Sequence, residues 1–102
     1  MGTQITGMAV EPRLPLGGNT HAVTSASGSS FVTFPAQPCC QLTIGNHAGT
    51  DVEVQQDGVG DAFPVFSGTY FTFYGITDAS RLGVRRIDVG NTQVSVAARW
   101  EA

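Results

Sequence analysis

The sequence predicts an all-β domain: a single small antiparallel β-sandwich or β-barrel of about seven or eight short strands, with an extended N-terminal arm. Three observations predict it. Short runs of alternating apolar and polar residues recur at roughly 8–12-residue spacing. Turn formers punctuate them, with 13 Gly and 5 Pro among 102 residues. No segment longer than about ten residues shows helical periodicity.

Residues 1–19 form the expected arm. Pro12, Pro15, Gly17 and Gly18 exclude a regular helix and interrupt a strand. Ile5, Met8, Val10, Leu14 and Leu16 give the arm apolar side chains to bury on a neighbour. Residues 20–102 form the expected β-domain. His21 to Ser25 is a weak strand. Ser29 to Phe34 is a stronger one, ended by Pro35 and Pro38. Cys40, Leu42 and Ile44 alternate onto one face, so Cys40 is expected inside and Cys39 outside. Gly45 to Gly49 reads as a turn by composition.

Val52 and Val54 face inward from the next strand, and Asp51, Glu53 and Gln55 outward. Asp57-Gly58 supplies a turn. Phe63 to Phe66 carries Pro64, which marks an edge strand or a strand start. Ser67-Gly68 reverses the chain. Thr69 to Tyr74 then places Phe71 and Phe73 on one face and Tyr70 and Tyr74 on the other. A strand with aromatics on both faces is covered twice, or one face meets a partner. Tyrosine suits the second role, because its ring packs while its hydroxyl stays wet.

Leu82 and Val84 point inward, with Arg81 and Arg85 outward. Ile87 breaks that parity and predicts a bulge near Arg85-Arg86. Gly90-Asn91 fits a type II′ turn joining this strand to the last, Thr92 to Glu101, in a hairpin. Val94, Val96, Ala98 and Trp100 share the inward face of that last strand.

Composition narrows the function. Charged residues make up 13% of the chain, against about 25% in ordinary domains. All five basic residues are arginines, and the net charge is -3. Phosphate binding wants a basic field, so nucleic acid is not expected as a partner. No run approaches the ~18 apolar residues of a membrane span, and no basic region followed by an apolar run suggests a secretory leader. A surface poor in Lys and Glu matches the composition of interface cores.

The residues that could do chemistry do not assemble into known patterns. Cys39 and Cys40 are adjacent, whereas paired zinc ligands are usually spaced by two or more residues. Asp57-Gly58-Val59-Gly60-Asp61 holds two carboxylates but lacks the remainder of a calcium loop. There is no nucleophile-elbow or cysteine-protease signature. No enzyme activity, metal or cofactor is therefore expected. Tyr70, Tyr74 and Trp100 beside Asp57 and Asp61 could form a sugar-stacking platform, although Trp100 sits in the inward register. Arg81, Arg85, Arg86 and Arg99 could form a cationic docking face on the last hairpin, or pair with Asp78, Asp88 and Glu101. The candidate interface residues are Ile5, Met8, Val10, Leu14, Leu16, Tyr70, Tyr74, Arg81 and Arg85.

The stretches Phe63 to Ile76, Arg81 to Arg86 and Gln93 to Ala102 resemble small virion proteins of tailed bacteriophages, most of all capsid decoration (cement) proteins of marine siphophages. The resemblance spans roughly Leu42 to Ala102. It implies a β-domain made in the host bacterial cytoplasm that binds the outside of the major capsid protein lattice. Such proteins often sit as trimers at quasi-threefold sites and clamp the shell against internal DNA pressure, so the resemblance implies a homo-oligomer, with a trimer favoured. No residue set of the family carries over to particular positions. Neck, tail or fibre components and a carbohydrate-binding module are the alternative readings.

Overall fold

The computed structural model describes residues 16–102. Eight antiparallel strands form two packed sheets, so the fold is a β-sandwich. The strands are β1 (Gly17–Val23), β2 (Val32–Thr33), β3 (Gln41–Asn46), β4 (Val52–Gln56), β5 (Phe63–Val65), β6 (Thr69–Tyr74), β7 (Leu82–Arg86) and β8 (Ser95–Glu101), with one 3₁₀ turn at Ala79–Arg81. One sheet has the order β1-β8-β3-β6 and the other β2-β7-β4-β5.

Period-two alternation places the core. Leu42, Ile44, Val96, Ala98 and Trp100 face inward from the first sheet, and Val52, Val54, Val65, Leu82 and Val84 from the second. Each fully buried Leu, Ile or Val contributes about 1.5–3 kcal/mol. Phe34, Ile76 and Ala79, which lie outside the strands, complete the core.

β1 begins at Gly17, inside the segment expected to be an arm, and Gly17 and Gly18 extend the strand where they were expected to interrupt it. Gly18 pairs with Trp100. A Cβ there would stand 2.9 Å from the indole nitrogen, so the glycine lets the backbone pass beneath the ring. Ile5, Met8, Val10 and Leu14 lie outside the described residues.

Several local expectations are corrected. The hairpin of β7 and β8 does not exist, because the two strands lie in different sheets. Their connection is organised by charge. Arg86 holds Asp88 at 2.8 Å and donates to Thr92 O, while Asp88 accepts from the Gly90 N–H. Val89 donates to Arg86 O and adopts a φ of 50°. Gly90-Asn91 thus lies on a loop crossing between sheets. The bulge is absent as well. β7 keeps one register against β4 throughout, and Ile87 continues it by donating to Asp51 O. Ile87 keeps its outward parity and is simply exposed.

The expected turn at Gly45 starts later, since β3 runs through Asn46. Asn46 is fully buried and donates to the carbonyls of Thr50 and Val65 at 2.8 Å. The cysteine faces are exchanged. Cys39 is buried and Cys40 exposed, because the chain bends at Cys40 and alternation starts only at Gln41. The strand expected over Ser29–Phe34 contracts to Val32–Thr33. The Asp57-Gly58 turn forms with both residues at positive φ, 56° and 70°, and Val59 donates to Gln56 O. Positive φ at both central residues is the signature of a type I′ turn.

Candidate interaction surface

The sandwich has four edge strands, and they differ in how they resist pairing with another chain. β2 has only two residues. β5 carries Pro64, which removes a donor from its ladder. β1 opens on the glycine pair Gly17-Gly18. β6 is six residues long, Thr-Tyr-Phe-Thr-Phe-Tyr, with no charge, proline or glycine. Among the described residues nothing pairs with its outer edge. Natural edges are usually blunted by charge, proline, bulges or shortness, and β6 has none of these.

Aromatic side chains gather beside that edge. Tyr70 and Tyr74 are each 74% exposed, Phe66 54%, and Phe63 and Phe71 each 43%. Phe63 of β5 and Phe71 of β6 stand 4.5 Å apart between ring centroids, and Phe71 and Phe73 5.0 Å. The three rings fill the open mouth between the two sheets, with two of them half in water. Alternation along β6 sends Tyr70, Thr72 and Tyr74 to the outer face of the first sheet. There the Thr72 hydroxyl lies 2.7 Å from that of Thr43.

The same outer face holds a shallow recess of about 420 Å³. Gly45 and Ala97 form its floor. Tyr70, His47, Asn19 and Arg99 stand around it. Trp100 is only 9% exposed and points into the core. Asp57 and Asp61 lie at the β4–β5 turn of the other sheet. The sugar platform expected from Tyr70, Tyr74, Trp100 and the two aspartates is therefore not assembled.

Arg81 ends the 3₁₀ turn that leads into β7 and Arg85 lies on β7 in the second sheet, away from the tyrosines of the first. Asp57, not Asp78, accepts from Arg81 at 2.8 Å through both carboxylate oxygens. That guanidinium holds the Asp57 carboxyl below the usual carboxylate range. Arg85 donates to Glu53 at 2.7 Å and to Ser29 O, and lies 4.4 Å above the Phe31 ring. Arg86 and Arg99 pair with Asp88 and Glu101, as expected. Every arginine among the described residues is thus matched by a carboxylate, and no joint cationic face results. Asp78 instead accepts from the N–H groups of Ser80 and Gln37, which lower its pKa.

Leu16, the last of the apolar side chains expected in the arm, is 78% exposed and its carbonyl accepts from Ala102 N–H. Sequence pattern points to exposed Tyr70 and Tyr74 but not to the exposed Phe63, Phe66 and Phe71 beside them. One signal is present in the sequence: Pro64 fits an edge strand, and Phe63 and Phe66 flank it.

Among the described residues no group of three or more His, Cys, Asp or Glu is placed to hold a metal ion. Comparison with known proteins finds no matching family model, no matching curated protein and no matching solved structure.

Proposed function

We propose that this chain is a non-enzymatic structural protein that binds other protein chains through the open β5/β6 edge. The observation that carries this reading is the set of half- to three-quarter-exposed aromatics at this edge: Tyr70, Phe71 and Tyr74 on the unblunted strand β6, with Phe63 and Phe66 beside them. Aromatic residues are enriched in interface cores and dominate their energetics. The resemblance over Leu42 to Ala102 supplies the setting: a capsid decoration protein on the outside of the major capsid protein lattice of a tailed-phage virion. Repetition of a modest contact at every lattice site gives a strong shell, because each contact forms while its neighbours already hold the geometry. The N-terminal segment, residues 1–15, is proposed to reach onto a neighbouring subunit.

Quantitative mass spectrometry of purified particles from the source of this chain tests the reading. Hundreds of copies per particle place it on the shell. A handful of copies moves it to the neck, tail or fibre, and its absence from particles overturns a virion role.

The recess beside Tyr70 favours a second reading, a carbohydrate-binding module. An exposed ring offers a stacking surface, and Asn19, His47 and Arg99 offer hydrogen-bond partners around a glycine floor. A glycan array giving a defined saccharide, with binding lost in Tyr70→Ala, would establish it.

A further inference from the structure

We infer that β6 pairs antiparallel with β6 of a second copy of this chain, in a register centred on Thr72, resting on the reading of this edge as a protein interface. The strand reads Tyr70-Phe71-Thr72-Phe73-Tyr74, the same in both directions. A two-fold axis at Thr72 sets Tyr70 opposite Tyr74 of the copy, and Phe71 opposite Phe73. Residues opposite one another in an antiparallel pair share a face. The tyrosines therefore meet on the outer face and the phenylalanines on the inner face.

The backbone fits the same register. Gly75, one residue past β6, donates its N–H to Cys40 O at 3.0 Å. Hydrogen-bonding direction alternates along an antiparallel strand. Phe71 and Phe73 thus turn toward β3, and Tyr70, Thr72 and Tyr74 direct their N–H and C=O groups outward. In the register centred on Thr72, outward groups face outward groups at all three pairs. A slip of two residues keeps that match but sets Tyr70 opposite Thr72 and Phe73 opposite Thr69. Only the register centred on Thr72 pairs every aromatic of the strand with another.

No charge opposes the contact, since β6 carries none. The second copy fits better than the chain's own N-terminal segment, because Leu16 enters the sheet at β1, the far end of the order β1-β8-β3-β6. Pairing joins two four-stranded sheets into one continuous sheet. It also brings the half-exposed Phe63 and Phe71 toward their counterparts across the axis. An isologous contact of this kind closes on itself as a dimer.

Sedimentation velocity of the full chain, from about 1 to about 300 µM, tests the pairing. The expected species has twice the chain mass of 10.7 kDa. Tyr70→Lys/Tyr74→Lys places like charges opposite one another and weakens the dimer at least tenfold. Its circular dichroism stays unchanged, because both side chains are exposed. Tyr70→Glu/Tyr74→Lys opposes unlike charges in this register and keeps the dimer, more weakly at high salt. A wild-type monomer, a wild-type trimer, or a dimer indifferent to the double lysine variant would overturn the pairing. So would a dimer that appears only after residues 1–15 are removed. If the wild type is monomeric but the lysine variant no longer attaches to particles, the edge binds a foreign chain: self-pairing falls while the interface stands. If attachment is also unaffected, both fall.

Discussion

The side-chain amide of Asn46 donates to the carbonyl of Val65 at 2.8 Å, linking the end of β3 in one sheet to β5 at the edge of the other. A second N–H of the same amide reaches Thr50 O, and its oxygen accepts from Ala48 N–H. Three backbone groups of the β3–β4 turn and β5 are satisfied by one buried side chain. Replacement takes this donor from the buried Val65 carbonyl and from the partly buried Thr50 carbonyl, at about 1–3 kcal/mol for a buried group. Asn46→Ala should lower the free energy of unfolding by about 2–4 kcal/mol in urea titrations. Asn46→Asp should be worse near neutral pH, because it sets a carboxylate against two carbonyl oxygens. A loss below ~1 kcal/mol would mean that the amide does not hold the sheets together.

Trp100 and Gly18 should behave as a pair. Trp100→Ala removes a buried ring and should cost about 3–5 kcal/mol. Gly18→Ala drives a methyl against the indole and should cost about 1–3 kcal/mol through overpacking. The chain has one tryptophan, so its emission spectrum reports on that site directly. An unshifted spectrum with unchanged stability in Gly18→Ala would contradict the close approach.

The exposed aromatics should separate binding from folding. Phe66→Ser removes a ring that is 54% exposed, and surface substitutions of this type usually change stability by less than about 0.5 kcal/mol. Thermal melts should stay near wild type, while attachment to particles falls. Unchanged attachment in Phe66→Ser combined with Phe63→Ser would remove the aromatic edge from the interface.

The two cysteines should differ in reactivity. Burial, with help from Asp78 and Cys40, pushes the Cys39 thiol pKa up, and the thiolate is the reactive form. Cys40 is exposed and donates to Ala102 O. An aromatic disulfide reagent should titrate one thiol per native chain, and mapping should place it at Cys40. The second thiol should appear only in denaturant. Two thiols reacting at equal rates in the native protein would contradict the burial of Cys39.

Acid should destabilise the fold in a defined direction. Asp57, Asp78 and Asp88 all have pKa values lowered in the folded state, by Arg81, by the Ser80 and Gln37 N–H groups, and by Arg86 respectively. Their contribution is fully present above the unfolded carboxylate value of about 4. It is lost as pH falls through the lower folded values. The melting temperature should therefore hold from neutral pH to about 4 and drop below it, with a shallower drop in Asp78→Asn. A melting temperature flat to pH 2, or an identical profile in Asp78→Asn, would contradict this.

The residue pattern was enough for the all-β class, the inward set Leu42, Ile44, Val52, Val54, Val96, Ala98 and Trp100, the reading of the Pro64 strand as an edge or a strand start, and the outward placing of Tyr70 and Tyr74. These follow from the two-residue pleat and from the missing N–H of proline, both local properties of the chain. Tertiary structure alone decided that β7 and β8 join different sheets, that Arg81 pairs with Asp57, and that Cys39 rather than Cys40 is buried. It also decided that Phe63 and Phe71 meet at an open edge beside the palindrome of β6. Those outcomes depend on which distant strands become neighbours, and alternation, which reads the same for any partner, carries no record of that choice.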